Sequence, residues 1–186
     1  MDKFDALKKE IESILPESPI DFELKHSGLV LKWVLKLKPD ADEALKIAAL
    51  GHDIDRAISK ITETYDLKDY SKINEFKKEH SLRSAKYLQD LLKKYNYNKK
   101  IIEKVKKLVE NHEFGGDEET NILMEADSLA FFDYNLPFYL NKNGKERAHK
   151  KIRFMYDRLS LKGKQLVKEM KFQDKEIEKI VKEAIS

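Results

Sequence analysis

At 186 residues the chain is long enough for one well-buried core and short for two. Its 37 basic and 34 acidic residues leave a net charge of +3 and are mixed along the chain, which argues against a nucleic-acid footprint. With no cysteine, it has no disulfide, no zinc–thiolate site and no cysteine nucleophile.

No apolar run approaches the roughly 20 residues that cross a bilayer. The start, Met1-Asp2-Lys3-Phe4-Asp5, lacks the unbroken apolar stretch of a signal peptide, so the expectation is a cytoplasmic protein with no membrane partner. Lysine pairs such as Lys99-Lys100 and Lys106-Lys107 read as solvated helix faces.

Only 6 Gly and 4 Pro punctuate the chain, and apolar residues recur at three- and four-residue intervals almost throughout. The periodicity predicts an all-α, single-domain helical bundle over 1–186. Asp2 to Leu15 forms a first amphipathic helix, broken by Pro16 and Pro19. Asp21 is expected to cap a second helix, whose stripe of His26, Leu29, Val30, Trp33, Val34 and Leu37 turns His26 toward the core. Pro39-Asp40 ends it and caps the next.

The third helix, Ala41 to Gly51, is apolar on nearly all sides and so is the buried central one. It delivers Leu50-Gly51-His52-Asp53-Ile54-Asp55-Arg56 to the middle of the protein. A short helix to Ile61 and a polar stretch from Thr62 to Ser71 follow. A long helix from Lys72 to Tyr95 carries His80 on its inner face, and one from Lys99 to Asn111 leads to His112, closed by Gly115-Gly116. Asp117 or Thr120 starts the next, which carries Asp127 on an apolar face. Phe132 to Tyr139, with Pro137, reads as an ordered loop. Asn143-Gly144 turns into a helix from Lys145 to Leu159, and Gly163 to Ile185 is a last helical stretch, bent near Phe172.

Six residues stand out: His26, His52, Asp53, His80, His112 and Asp127. Neutral imidazoles and carboxylates gathered from several helices are the ligands of hard and borderline divalent ions. A lone histidine on an apolar face is ordinarily a hydrogen-bonded core residue. A buried carboxylate, by contrast, costs several kcal/mol unless a cation or donors compensate it. The reading is that the six converge on one metal centre.

The order of these residues, with His26 on one helix, His52-Asp53 ending a buried helix and Asp127 within Ala-Asp-Ser-Leu, resembles the HD-domain superfamily of metal-dependent phosphohydrolases over about 21–131. The resemblance implies that His26, His52, Asp53 and Asp127 ligate one divalent metal. His80 and His112 make it similar to the two-metal members, in which the intervening histidines bind a second ion and the Asp of the pair bridges both. Asn111-His112 stands where the phosphodiesterase subgroup usually has two adjacent histidines, which leaves one ligand position open; Glu113 either substitutes there or, the preferred reading, only hydrogen-bonds.

The function expected is hydrolysis of a phosphate ester or anhydride of a small metabolite, a nucleotide above all, with one or two divalent ions (Fe, Mn, Co, Ni or Mg) activating water. Asp53 and Arg56 are the catalytic candidates, and Arg56 and Arg83 the candidate phosphate contacts. A salt bridge of Arg83 with Glu79 or with a neighbouring helix is the bland alternative, and an exposed helix surface that of Arg56. Lys145 and Arg147 read as surface groups, with closure over the site as the alternative, His149 as surface or structural, and Phe131, Phe132, Tyr134, Phe138 and Tyr139 as core packing or part of a base pocket. A di-iron oxygenase on the same scaffold and a non-catalytic metal- or nucleotide-binding regulatory domain are the other readings. Oligomeric state is open.

Overall fold

The computed structural model describes residues 2–62 and 70–186. Every regular element among them is helical, as the spacing predicts, with no strand. The chain divides into two compact units, Met1–Met124 and Glu125–Ser186.

In the first unit, α1 (Lys3–Ile14) is followed by a 3-10 turn and α2 (Glu23–Leu37). Asp21 does not cap α2: the capping position is Phe22, and an i→i+3 bond from Glu23 N to Ile20 O carries the chain in. The helix α3 (Glu43–Gly51) is capped by Asp42, whose side chain accepts from Leu45 N at 3.0 Å, two residues later than Asp40. Short α4 (Asp55–Ser59), long α5 (Ile73–Lys94) and α6 (Lys99–Asn111) follow. Asn98 caps α6 by accepting from Ile101 N. Most of the expected polar stretch after Thr62 lies outside the described residues.

The helices α5 and α6 pack side by side, and α3 lies against α1, α2 and α6. All but two of the nine α3 residues are buried, which bears out its place at the centre. Its last residue is a glycine for a steric reason. A Cβ on Gly51 would stand 2.6 Å from Cδ2 of Leu88, a fully buried side chain of α5. Leu45, Ile47, Leu50, Leu88, Leu92, Leu108 and Val109 form the core around this approach.

The helix α7 (Glu118–Ala130) leads into the second unit. Asp117 caps it, accepting from Thr120 N at 2.9 Å. The expected loop at Phe132 to Tyr139 is instead a π-turn, 131–135, running into α8 (Leu136–Asp157). Pro137 does not interrupt it, because a proline in the first helical turn removes an N–H that has no intrahelical partner. The break comes at Gly144, with φ 75°, in the turn expected there. The last stretch is two helices, α9 (Leu161–Glu169) and α10 (Lys175–Ile185), the latter capped by Asp174. Phe131 and Phe132 are buried in the second unit, whereas Phe138 is exposed. No helix among the described residues is long and apolar enough to cross a membrane.

Candidate metal centre

The corner after α3 sets the centre of the first unit. Three i→i+3 turns, Ile54 N to Gly51 O, Arg56 N to Asp53 O and Ala57 N to Ile54 O, turn the chain from α3 into α4. Ser27, next to His26 on α2, donates from Oγ to Leu50 O at 2.6 Å and so ties α2 to the end of α3. His52 and Asp53 ride on this corner, 1 % and 5 % exposed.

Four imidazoles surround the Asp53 carboxylate. His80 Nε2 lies 2.8 Å from Asp53 Oδ1 and His112 Nε2 3.6 Å from the same oxygen. On the other side, His52 Nε2 is 3.4 Å and His26 Nε2 3.9 Å from Oδ2. The rings of His52 and His112 stand 5.1 Å apart, those of His26 and His52 5.4 Å. All four histidines are at most 2 % exposed. Asp53, His80 and His112 each offer a ligand atom within 4.8 Å of the other two.

Two of the imidazoles are held in the form a metal needs. Both His52 and His112 sit at the end of a helix, with Nδ1 on the carbonyl three residues back: Ala49 O at 3.1 Å and Val109 O at 2.7 Å. A carbonyl only accepts, so Nδ1 carries the proton and Nε2 keeps its lone pair for the interior. Nε2 of His112 is buried and hydrogen-bonds to nothing among the described residues. A buried orphan acceptor costs about 1–3 kcal/mol, and a cation would satisfy it.

His80 differs, because its Nδ1 faces Asp55 Oδ2 at 3.1 Å while Nε2 faces Asp53. Burial disfavours the imidazolium, but the two carboxylates outweigh it and raise the His80 pKa to about 9. Burial pushes the Asp53 carboxyl up, but the Arg56 guanidinium against it and the protonated His80 ring hold it well below the usual range.

The arginines are both engaged. Arg56 donates to Asp53 Oδ2 and, at 3.1 Å, to Glu23 Oε1, with 12 % of its side chain exposed, so it is not the exposed surface residue of the bland alternative. Arg83 grips Asp55 bidentately, Nε to Oδ1 and Nη2 to Oδ2, each 2.9 Å, and lies 3.7 Å from Glu79. Glu113 accepts from Lys77 Nζ at 2.8 Å, the hydrogen-bonding role expected of it. Asp127, in the second unit, accepts from Arg158 Nη2 at 2.5 Å, beside Ser128. Lys145 pairs with Glu176 at 2.5 Å on the surface of that unit, and His149 is half-buried.

Sequence reasoning missed Asp55, Glu23 and Ser27, all buried polar groups at this corner. The spacing of His80 and Arg83, three apart on one helix face, is the signal that could have pointed to a shared carboxylate.

Neutral imidazoles around a carboxylate, without sulfur, suit a hard or borderline divalent ion, and this cluster can hold one. Fold and site together define a helical protein with a buried imidazole–carboxylate cluster of metal-ligand type. Residues 2–181 match the family described as Domain of unknown function (DUF4202), and the chain belongs to that family. No curated protein and no solved structure matches it.

Proposed function

We propose that the chain is a metal-dependent phosphohydrolase that cleaves a phosphate ester or anhydride of a small metabolite, a nucleotide above all. The observation that carries this reading is the convergence of four imidazole Nε2 atoms on the Asp53 carboxylate, with distances of 2.8, 3.4, 3.6 and 3.9 Å. The resemblance of the His26, His52-Asp53 and Asp127 pattern to HD-domain phosphohydrolases supports it.

His26, His52 and Asp53 would hold one ion, and Asp53, His80 and His112 a second. Asp127 belongs to the ligand set as the resemblance implies it. When bound, a divalent ion of the Fe, Mn, Co, Ni or Mg type lowers the pKa of its water to about 7 and polarises a phosphoryl oxygen. Asp53 serves both sides, because each of its oxygens faces two imidazoles. Arg56, already against Asp53, is the group assigned to a phosphate oxygen, which a guanidinium takes in bidentate fashion.

Phosphate release across a panel of nucleoside mono-, di- and triphosphates and cyclic diesters, with each of the five metals, tests the proposal. Metal-dependent turnover that Asp53→Asn abolishes is the expected result. Metal binding without turnover of any substrate counts against it, and oxygen uptake by the iron-loaded protein would move the assignment to a di-iron oxygenase.

A further inference from the structure

The proposed metal centre gives Asp55 no ion to hold, yet Asp55 is 3 % exposed and more fully bonded than Asp53. Its Oδ2 accepts from both His80 Nδ1, at 3.1 Å, and Arg83 Nη2, at 2.9 Å, and its Oδ1 accepts from Arg83 Nε at 2.9 Å. Its backbone N–H donates to Ser84 Oγ at 3.1 Å, so main chain and side chain are both pinned to α5.

The reason for such a clamp lies in where the histidines sit. His52 and His112 end their helices, where the last four carbonyls lack intrahelical partners and are free to take an imidazole N–H. His80 sits well inside α5, where the nearby carbonyls are used by the helix itself. An acceptor for its Nδ1 must therefore come from another element, and α4 supplies it in its first turn. Arg83, one turn along the same face as His80, fixes the orientation of that carboxylate.

We infer that Asp55, clamped by Arg83 and Ser84, is a positioning residue that turns His80 Nε2 toward the metal, an inference that rests on the metal-centre reading above. Arg83 then belongs to the support of the centre and not to substrate. Each of the three imidazoles His52, His80 and His112 has its Nδ1 proton held by an acceptor-only oxygen, two by backbone and one by this carboxylate. Partners of this kind fix the ring and raise its basicity, and their loss weakens metal binding by about 10–100-fold.

The test is Co²⁺ binding by full-length protein without substrate, measured by competition with a chromogenic chelator and by the visible spectrum of the bound ion. Metal-free melting temperatures come first, and all titrations are run well below the lowest. Asp55→Ala is expected to weaken Co²⁺ binding by about 10–100-fold and to change the spectrum. Asp55→Asn can keep an oxygen where the two donors converge, so it should retain part of the affinity. Arg83→Ala should fall between Asp55→Asn and the wild type. A structural role alone predicts lower melting temperatures with unchanged affinity and spectrum among the folded variants, and that result overturns the inference.

If Asp55→Ala does not fold, wild-type affinity in both Asp55→Asn and Arg83→Ala is the overturning outcome. A wild-type protein that binds no Co²⁺ overturns it too, together with the metal centre. The expected ranking in a protein without phosphatase activity upholds it while ending the hydrolase reading.

Discussion

His80 and Asp53 meet at 2.8 Å with both side chains almost fully buried, and without a metal that contact is an imidazolium against a carboxylate. The folded-state pKa of His80, about 9, lies above the unfolded value of about 6.5. Its contribution to stability is therefore complete below pH 6.5 and is lost as pH rises through 9. Metal-free protein should melt at progressively lower temperature across that window relative to His80→Gln, which lacks the titrating ring. Equal pH profiles for the two would refute it. A metal on Nε2 displaces the same proton, so loading should release protons in this range and tighten as pH rises toward 9. Titration calorimetry in buffers of different ionisation enthalpy counts those protons.

His112 makes a second, separate prediction. Its Nε2 is buried without a hydrogen-bond partner among the described residues, so a bound ion adds an interaction that the metal-free state lacks. An ion that binds only the folded state stabilises it by about 2.7 kcal/mol at a hundred times its dissociation constant. Saturating divalent metal should raise the melting temperature and a chelator should reverse the rise. In His112→Leu most of the rise should vanish, although the metal-free melting temperature changes less. A rise of wild-type size in that variant would remove His112 from the ligand set.

The inward-facing residues His26 and His80 were legible in the sequence because helical periodicity places a side chain on a face without reference to its neighbours, and Asp53 because it directly follows the end of the buried helix α3. The support around them was not. Asp55 is only two residues from Asp53, but the three successive i→i+3 turns re-aim it toward α5, and turn geometry of that kind leaves no periodic trace. Ser27 reaches the Leu50 carbonyl across 23 positions, a contact that exists only once α2 and α3 have packed. The expected caps Asp21 and Asp40 failed for a related reason: the path of the chain puts Phe22, without a side-chain cap, at the start of α2, and takes Asp42 over Asp40 at the start of α3. Pro137 misled because a breaker inside a helix is a harmless residue in its first turn.

Arg56 should behave oppositely to every ligand. Its guanidinium lies on Asp53 Oδ2, the oxygen that also faces His26 and His52, so it competes with a cation for that place. Arg56→Ala should tighten metal binding, by about tenfold if the competing contact is worth about 1.4 kcal/mol. It should also lower the metal-free melting temperature, since Asp53 and Glu23 lose a shared cation, and it should depress phosphate release if Arg56 contacts the substrate. Weaker metal binding in this variant would show that Arg56 supports the ion and does not rival it.

Gly51 joins the core to the site. Glycine to alanine inside a helix ordinarily favours the helix by about 1 kcal/mol, but here the new methyl would lie 2.6 and 2.9 Å from the two terminal carbons of Leu88. Leu88 is fully buried and has little room to yield, so Gly51→Ala should destabilise by about 1–3 kcal/mol. Leu88→Ala alone should cost about 2–5 kcal/mol through its cavity. In the double variant the methyl fills part of that cavity, and the combined loss should fall short of the sum, a coupling that a double-mutant cycle in urea measures. Because His52 and Asp53 follow Gly51 directly, strain at this contact shifts two ligands at once. Metal affinity should therefore fall in Gly51→Ala and recover in the double variant; an additive cycle with unchanged affinity would separate the packing of α3 on α5 from the geometry of the centre.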